Sequence, residues 1–184
     1  HMFNENIKLS TIIVIFHSHG IVSLMSHAVS PSISEPGAVL IHDGLLNKIN
    51  IFPIPCSSAV SSAISISGFS ERFFFYGFLP EKLGELKENF KNLSNLDCSI
   101  VFLISPKKFK SSVKISKVYF FGRKILICRE MTKFYEEYIR TDINTLKPFK
   151  DTPKGELTIV ISQKEKIKKA SLKLTESDKK TIDK

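Results

Sequence analysis

Tryptophan is absent from this chain, so its core must be built on phenylalanine, of which there are 15, and on Ile, Leu and Val. Cysteine is scarce: Cys56, Cys98 and Cys128 stand far apart with no Cys-x-x-Cys pair. That excludes a disulfide framework and the usual zinc-ligand spacing, and suits a cytoplasmic protein with free thiols. No uninterrupted apolar run reaches the ~18–20 residues that a membrane-spanning helix needs. Charge is thin near the start, where Ile7 to Ser34 holds no Asp, Glu or Arg and only Lys8. This stretch is broken at His17, Ser18, His19 and Gly20 and reads as helix, turn and buried strand; as a secretory signal its apolar core is short and only weakly basic in front. His1-Met2 reads as a vector-derived remnant. All five histidines lie within residues 1–42, but His17 and His19 are two apart across a helix end rather than four apart on one face, and no cysteine or carboxylate pair joins them, so no metal site is expected.

What is present begins with a hydrophobic content of 42% over 184 residues, enough for a real core and against wholesale disorder. The net charge of +9 is unevenly placed: residues 1–80 carry a net −1 and the remainder +10. A basic half is either a solvated surface or one that meets a polyanion, where each neutralised phosphate releases a counterion.

Patterning predicts a helix over residues 6–18 closed at His19-Gly20, a strand over Ile21–Met25 and a Ser/Pro-dense loop over residues 27–35. A helix follows from Pro36-Gly37 to Leu46, then a strand over Ile49–Ile54 and a small-residue helix over Ser57–Ser67 closed by Gly68. A second unit is expected from about Glu71. It holds an aromatic strand over Arg72–Phe78, and a helix over Pro80–Leu93 with Leu83, Leu86, Phe90 and Leu93 on one buried face. Next come a strand over Ser99–Ser105 and a helix over Pro106–Val118 carrying Lys107, Lys108, Lys110, Lys114 and Lys117. Strands over Lys124–Cys128 and Phe134–Arg140, a short helix or turn over Leu146–Phe149, and a strand over Glu156–Ser162 complete it. The lysine run is a solvated face or a phosphate track. The Ser-rich stretch 57–67 lacks a Gly-x-Ser-x-Gly elbow and reads as helix packing. This alternation is the rhythm of a layered α/β protein.

Several short motifs occur in a fixed order. Ser26-His27-Ala28-Val29-Ser30-Pro31-Ser32-Ile33-Ser34-Glu35-Pro36-Gly37 is similar to a Ser-Asp-Ala-Gly-Thr-Pro-x-Ile-Ser-Asp-Pro-Gly loop. Pro53-Ile54-Pro55-Cys56-Ser57-Ser58-Ala59 is similar to Pro-x-Pro-Gly-Pro-Ser-Ala. Gly68-Phe69, Phe78-Leu79-Pro80 and Ser105-Pro106 follow. Arg129-Glu130-Met131-Thr132-Lys133 with Glu136-Glu137, and Lys154-Gly155-Glu156, complete the series. Together they resemble the ribosomal small-subunit RNA 2′-O-methyltransferase I family of the tetrapyrrole (corrin/porphyrin) methylase superfamily, over roughly residues 4–162.

The resemblance implies an α/β fold: the second half of an N-terminal S-adenosylmethionine-binding domain (residues 3–68), a C-terminal substrate domain (69–162) and a polar tail (163–184). It implies S-adenosylmethionine as cofactor, held near His27, Ala28, Val29, Pro31, Ser58, Ala59, Ser105 and Pro106. It also implies methyl transfer to the ribose 2′-hydroxyl of a cytidine in small-subunit ribosomal RNA. Arg129 and Lys133 become candidates for holding RNA phosphates, with Glu136 or Glu137 orienting them; ordinary ion pairing is the alternative. The loop departs from the family pattern at His27 (Asp), Val29 (Gly) and Ser30 (Thr), and Cys56-Ser57 replaces Gly-Pro; a β-branched Val29 resists positive φ. Because the family loop lies near mid-chain, the first half of the cofactor domain is expected to be missing and activity impaired. The alternatives are a non-catalytic RNA- or ribosome-binding remnant, or a subunit completed by a separate N-terminal piece or by homodimerisation.

Overall fold

The computed structural model describes residues 11–16, 18, 20–25, 31–34, 37–150 and 152–165. Residues 11–16 are helical, and the Gly20 amide closes that turn on the Ile15 carbonyl at 2.9 Å. The remaining elements are α1 (Ala38–Leu46), α2 (Ala59–Ser65), β1 (Phe73–Phe78), α3 (Leu83–Leu93), β2 (Ser99–Ile104), a 3-10 turn (Pro106–Lys108) running into α4 (Phe109–Tyr119), β3 (Lys124–Arg129), β4 (Glu137–Asp142) and β5 (Leu157–Ile161).

The five strands form one sheet in the order β1-β2-β5-β3-β4. β1 and β2 are parallel, joined through α3, and every other pairing is antiparallel. β2 is six consecutive buried residues, Ser-Ile-Val-Phe-Leu-Ile, and β5 is equally buried. Such runs suit central strands covered on both faces.

Alternation divides the core. Ile100, Phe102, Ile104, Ile125, Ile127 and Ile159 face α3 and α4, where Leu86, Phe90, Phe109 and Val113 meet them. Val101, Leu126, Cys128 and Val160 face the opposite way, against Val60 and Ala63 of α2. On α3 the expected apolar stripe buries Leu86, Phe90 and Leu93, while Leu83 in the first turn is exposed. Phe90 is fully buried, with its ring 5.8 Å from Phe102 and 5.2 Å from Phe120.

Two expected strands do not form. Residues 21–25 and 49–54 are irregular, with Ile21, Met25, Phe52 and Ile54 exposed. Their apolar sequence suits strands, but a strand exists only with a hydrogen-bonding neighbour, and none of the five strands pairs with either run. The expected strand over Phe134–Arg140 begins only at Glu137 because residues 130–136 form a wide hairpin connection. Residues 143–145 are a turn and 146–149 are irregular, with Leu146 buried. The tail is described only to residue 165; Gln163 accepts the Ser70 amide at 3.0 Å.

Candidate functional site

The registers bring the C-terminal motifs to one edge of the sheet. Phe78 pairs with Leu103, Ile104 with Leu157, Leu157 with Arg129, and Arg129 with Glu137. β1, β2 and β3 therefore end where β4 and β5 begin. Phe78-Leu79-Pro80, Ser105-Pro106, Arg129 to Lys133, Glu136-Glu137 and Lys154-Gly155-Glu156 all lie along this edge. In open α/β sheets, ligands bind outside the carboxyl ends of parallel strands, which here is the edge where β1 and β2 finish.

At its β3–β4–β5 end the motifs lock together. Arg129 pairs with Glu137 at 3.1 Å and donates from Nε to the Lys154 carbonyl at 3.0 Å. Glu130 accepts the Glu156 amide at 3.0 Å and Lys133 Nζ at 3.2 Å, and Lys133 also reaches Glu156 at 3.5 Å. Glu136 accepts the Thr132 amide. Glu130 and Thr132 carry φ of 48° and 65°, so the turn rests on these side-chain bonds. Opposite, Gly155 has φ +87°, and a Cβ there would lie 2.2 Å from the Glu130 carboxylate; only glycine fits.

The Glu130 carboxyl is held below its ordinary value, first by the Glu156 amide and then by Lys133. The Lys133 ammonium is raised, chiefly by its hydrogen bond to Glu130. A carboxyl with a lowered folded pKa binds fewer protons folded than unfolded. Its stabilisation is full above the ordinary glutamate pKa of about 4.3 and is lost as pH falls through the lower folded value. Glu130→Gln should therefore give a flatter acid limb than the unchanged chain in urea titrations below about pH 5; parallel limbs would show that Glu130 is not held this way.

The cofactor-side residues are placed in part. His27, Ala28 and Val29 lie outside the described residues. Pro31 is half-buried, in a loop where Ser32 and Ser34 have φ of 65° and 57°. This loop touches the sheet at the bulge of β1: a Cβ on Gly77, whose φ is +89°, would stand 3.0 Å from Ser34 Oγ. Ser58 is the N-cap of α2, its Oγ accepting the Val60 amide at 3.3 Å, with Ala59 opening the helix. Ser105 is exposed at the end of β2 and its carbonyl accepts the Lys108 amide at 2.9 Å, so Pro106 opens a 3-10 turn rather than the expected α-helix.

No protein-family model matches the chain. The chain is 35% identical over 170 residues to the ribosomal RNA small subunit methyltransferase I of Mesomycoplasma conjunctivae, covering 90% of this chain and 70% of that protein. It is 32% identical to the protein of the same name from Thermotoga maritima, over 88% of this chain and 74% of that one. The chain belongs to the ribosomal RNA small subunit methyltransferase I family. Against the Rickettsia prowazekii member, 33% identical, it spans 55% of that protein's length. Solved structures of methyltransferases share the fold. The methyltransferase CobJ superposes with a TM-score of 0.63 at 14% identity, over 83% of this chain and 69% of that one. Uroporphyrin-III C-methyl transferase from Thermus thermophilus, complexed with S-adenyl homocysteine, gives 0.57 at 8% identity, over 86% and 73%.

In this family member Arg129, Lys133, Glu136 and Glu137 lie in one cluster, and ion pairing, the alternative weighed above, accounts for most of their charges. Arg129 is matched to Glu137, and Lys133 to Glu130 and Glu156, while Glu136 bonds backbone instead of orienting a cation. The lysines after β2 differ. Among the described residues, none of Lys107, Lys108, Lys110, Lys114 and Lys117 lies within ion-pair distance of a carboxylate, although Lys108 Nζ donates to the Glu81 carbonyl at 3.0 Å. Lys110, Lys114 and Lys117 fall at i, i+4 and i+7 of α4, one stripe that starts at the motif edge.

Sequence reasoning missed Gly77, Arg123 and the exposed pair Phe134-Tyr135. Gly77 announces itself only as a lone glycine in an aromatic strand, a sign of a bulge or close approach. Among the described residues, no helix is long and apolar enough to cross a membrane.

Proposed function

We propose that this chain serves methyl transfer from S-adenosylmethionine to the ribose 2′-hydroxyl of a cytidine in small-subunit ribosomal RNA, with residues 69–162 as the substrate domain and residues 3–68 contributing to the cofactor side. The observation that carries the reading is the gathering of the family's C-terminal motifs on the one sheet edge where β1 and β2 end. The names of its relatives supply the RNA.

The residues present fit the cofactor. Two non-glycine residues of the loop, Ser32 and Ser34, hold left-handed backbone, the geometry that turns peptide N–H groups into a concavity for a ligand's polar groups. Pro31 to Ser34, with Ser105 and Pro106 across β1, and Ala59 at the start of α2, would hold it. When bound, S-adenosylmethionine supplies a methyl group on a sulfonium, so the protein's task is alignment of the acceptor oxygen rather than metal or redox chemistry.

The bonded cluster at the β3–β4–β5 end supports a positioning role for Arg129, Lys133 and Glu136. Arg129 is matched by Glu137, Lys133 by Glu130 and Glu156, and Glu136 by the Thr132 amide, so they fix the edge's shape. The unpaired lysines from Lys107 onward are the better phosphate track. Calorimetry tests the cofactor: saturable heat with S-adenosylmethionine is expected, and none at millimolar concentration would overturn this reading. For RNA, Lys107, Lys108 and Lys110 changed together to Glu should flatten the dependence of binding on salt by about one in log–log slope for each lysine that meets a phosphate; an unchanged slope would remove the lysine track.

A further inference from the structure

The turn between β3 and β4 is bonded almost throughout. Lys133 N–H donates to the Glu130 carbonyl at 2.9 Å, Glu136 N–H to the Lys133 carbonyl at 3.1 Å, and Thr132 N–H to the Glu136 carboxylate. Met131 packs inward against the α2 side of the core. Between these fixed points stand Phe134 and Tyr135, 93% and 68% exposed, with ring centroids 5.0 Å apart and planes at 86°. A rigid base thus holds two aromatic rings in water at the motif edge. An edge-to-face pair leaves ring faces open, and an open ring face is a platform for a nucleobase.

The surroundings select among occupants. Glu137 pairs with Arg129, Glu130 and Glu156 pair with Lys133, and Glu136 accepts the Thr132 amide, so carboxylates outnumber the two cations here. The hairpin therefore offers stacking without net attraction for phosphate, and no cationic collar for an anionic lipid surface. Single-stranded RNA, whose unstacked bases are read on aromatic side chains, fits such a tip. Resting on the RNA reading above, we infer that Phe134 and Tyr135 stack on an unpaired nucleobase of the RNA substrate and help present the target nucleotide to the motif edge. The lysines after β2 then hold phosphates, and the hairpin holds a base.

The chain's lack of tryptophan supplies the test. In Phe134→Trp, the introduced indole is the only one present, and its emission should be quenched by a single-stranded RNA of about 12 nucleotides and left unchanged by the matching RNA duplex. In anisotropy titrations with the same labelled strand, Phe134→Ala/Tyr135→Ala should weaken binding about tenfold or more with the salt slope intact, and Phe134→Trp should retain affinity. If the unchanged chain binds RNA and the double-alanine variant binds equally well, the stacking role is wrong while the RNA reading stands. If the unchanged chain binds no RNA at low salt, both fall. If the indole responds instead to phosphatidylglycerol vesicles and not to RNA, the tip is a membrane contact and the inference is overturned.

Discussion

Replacing Gly155 by alanine is expected to lower the unfolding free energy by about 3 kcal/mol. Two effects combine. The position has φ +87°, which an L side chain rarely adopts, and the added Cβ would meet the Glu130 carboxylate at 2.2 Å. The carboxylate cannot withdraw freely, because it accepts the Glu156 amide and Lys133 Nζ. Displacing it would loosen the β3–β4 turn at Glu130, itself left-handed at φ 48°. A second substitution separates the causes: in a Glu130→Ala background the steric part vanishes, so Gly155→Ala should cost clearly less there than in the unchanged chain. Urea denaturation measures both. Equal costs in the two backgrounds would place the whole effect in the backbone and leave the Glu130 contact without consequence.

Arg123→Leu should cost about as much, at least 3 kcal/mol. Arg123 is buried, yet its guanidinium donates to three carbonyls: Ser162 at 3.3 Å, Ser94 at 2.8 Å and Leu96 at 3.1 Å. It also lies 5.4 Å over the Phe120 ring. Burial lowers its pKa, with Cys98 and then Asp97 acting in the other direction, but a guanidinium remains charged at any physiological pH. The side chain joins the exit of α3, the start of β3 and the end of β5. Leucine fills part of the volume and strands three acceptors. Lysine keeps the charge without the planar fork, so Arg123→Lys should fall between the two, and thermal or urea unfolding ranks them. A leucine variant as stable as the original would mean that water replaces the lost donors without cost.

The contrast between these positions and the rest of the molecule explains what was legible in the sequence. β2 and β5 were visible because a central strand buried on both faces is written as an apolar run. Most of α3 was visible because Leu86, Phe90 and Leu93 share one helical face. The motif edge was foreseeable only as a set of motifs: each lies at a strand end, and registers brought them together. Residues 21–25 and 49–54 carry the composition of strands, but composition does not supply a hydrogen-bonding neighbour. Nothing local marks Arg123 as buried, since its three acceptors come from two other segments far along the chain. The pairing of Gly155 with Glu130 is likewise a contact across 25 residues. Phe134 and Tyr135 looked like the start of a strand because aromatic residues favour strands; the left-handed turns at Glu130 and Thr132 that expose them leave no apolar signal.

The position of β5 has a consequence for how the molecule is made. It is the last described strand to leave the ribosome, yet it fills the middle of the sheet. Until Leu157–Ile161 emerges, β1-β2 and β3-β4 are separate two-stranded pieces, each marginal by itself and each with an open inner border. The halves therefore cannot join before that segment has been synthesised, and until then both borders stay open to mispairing.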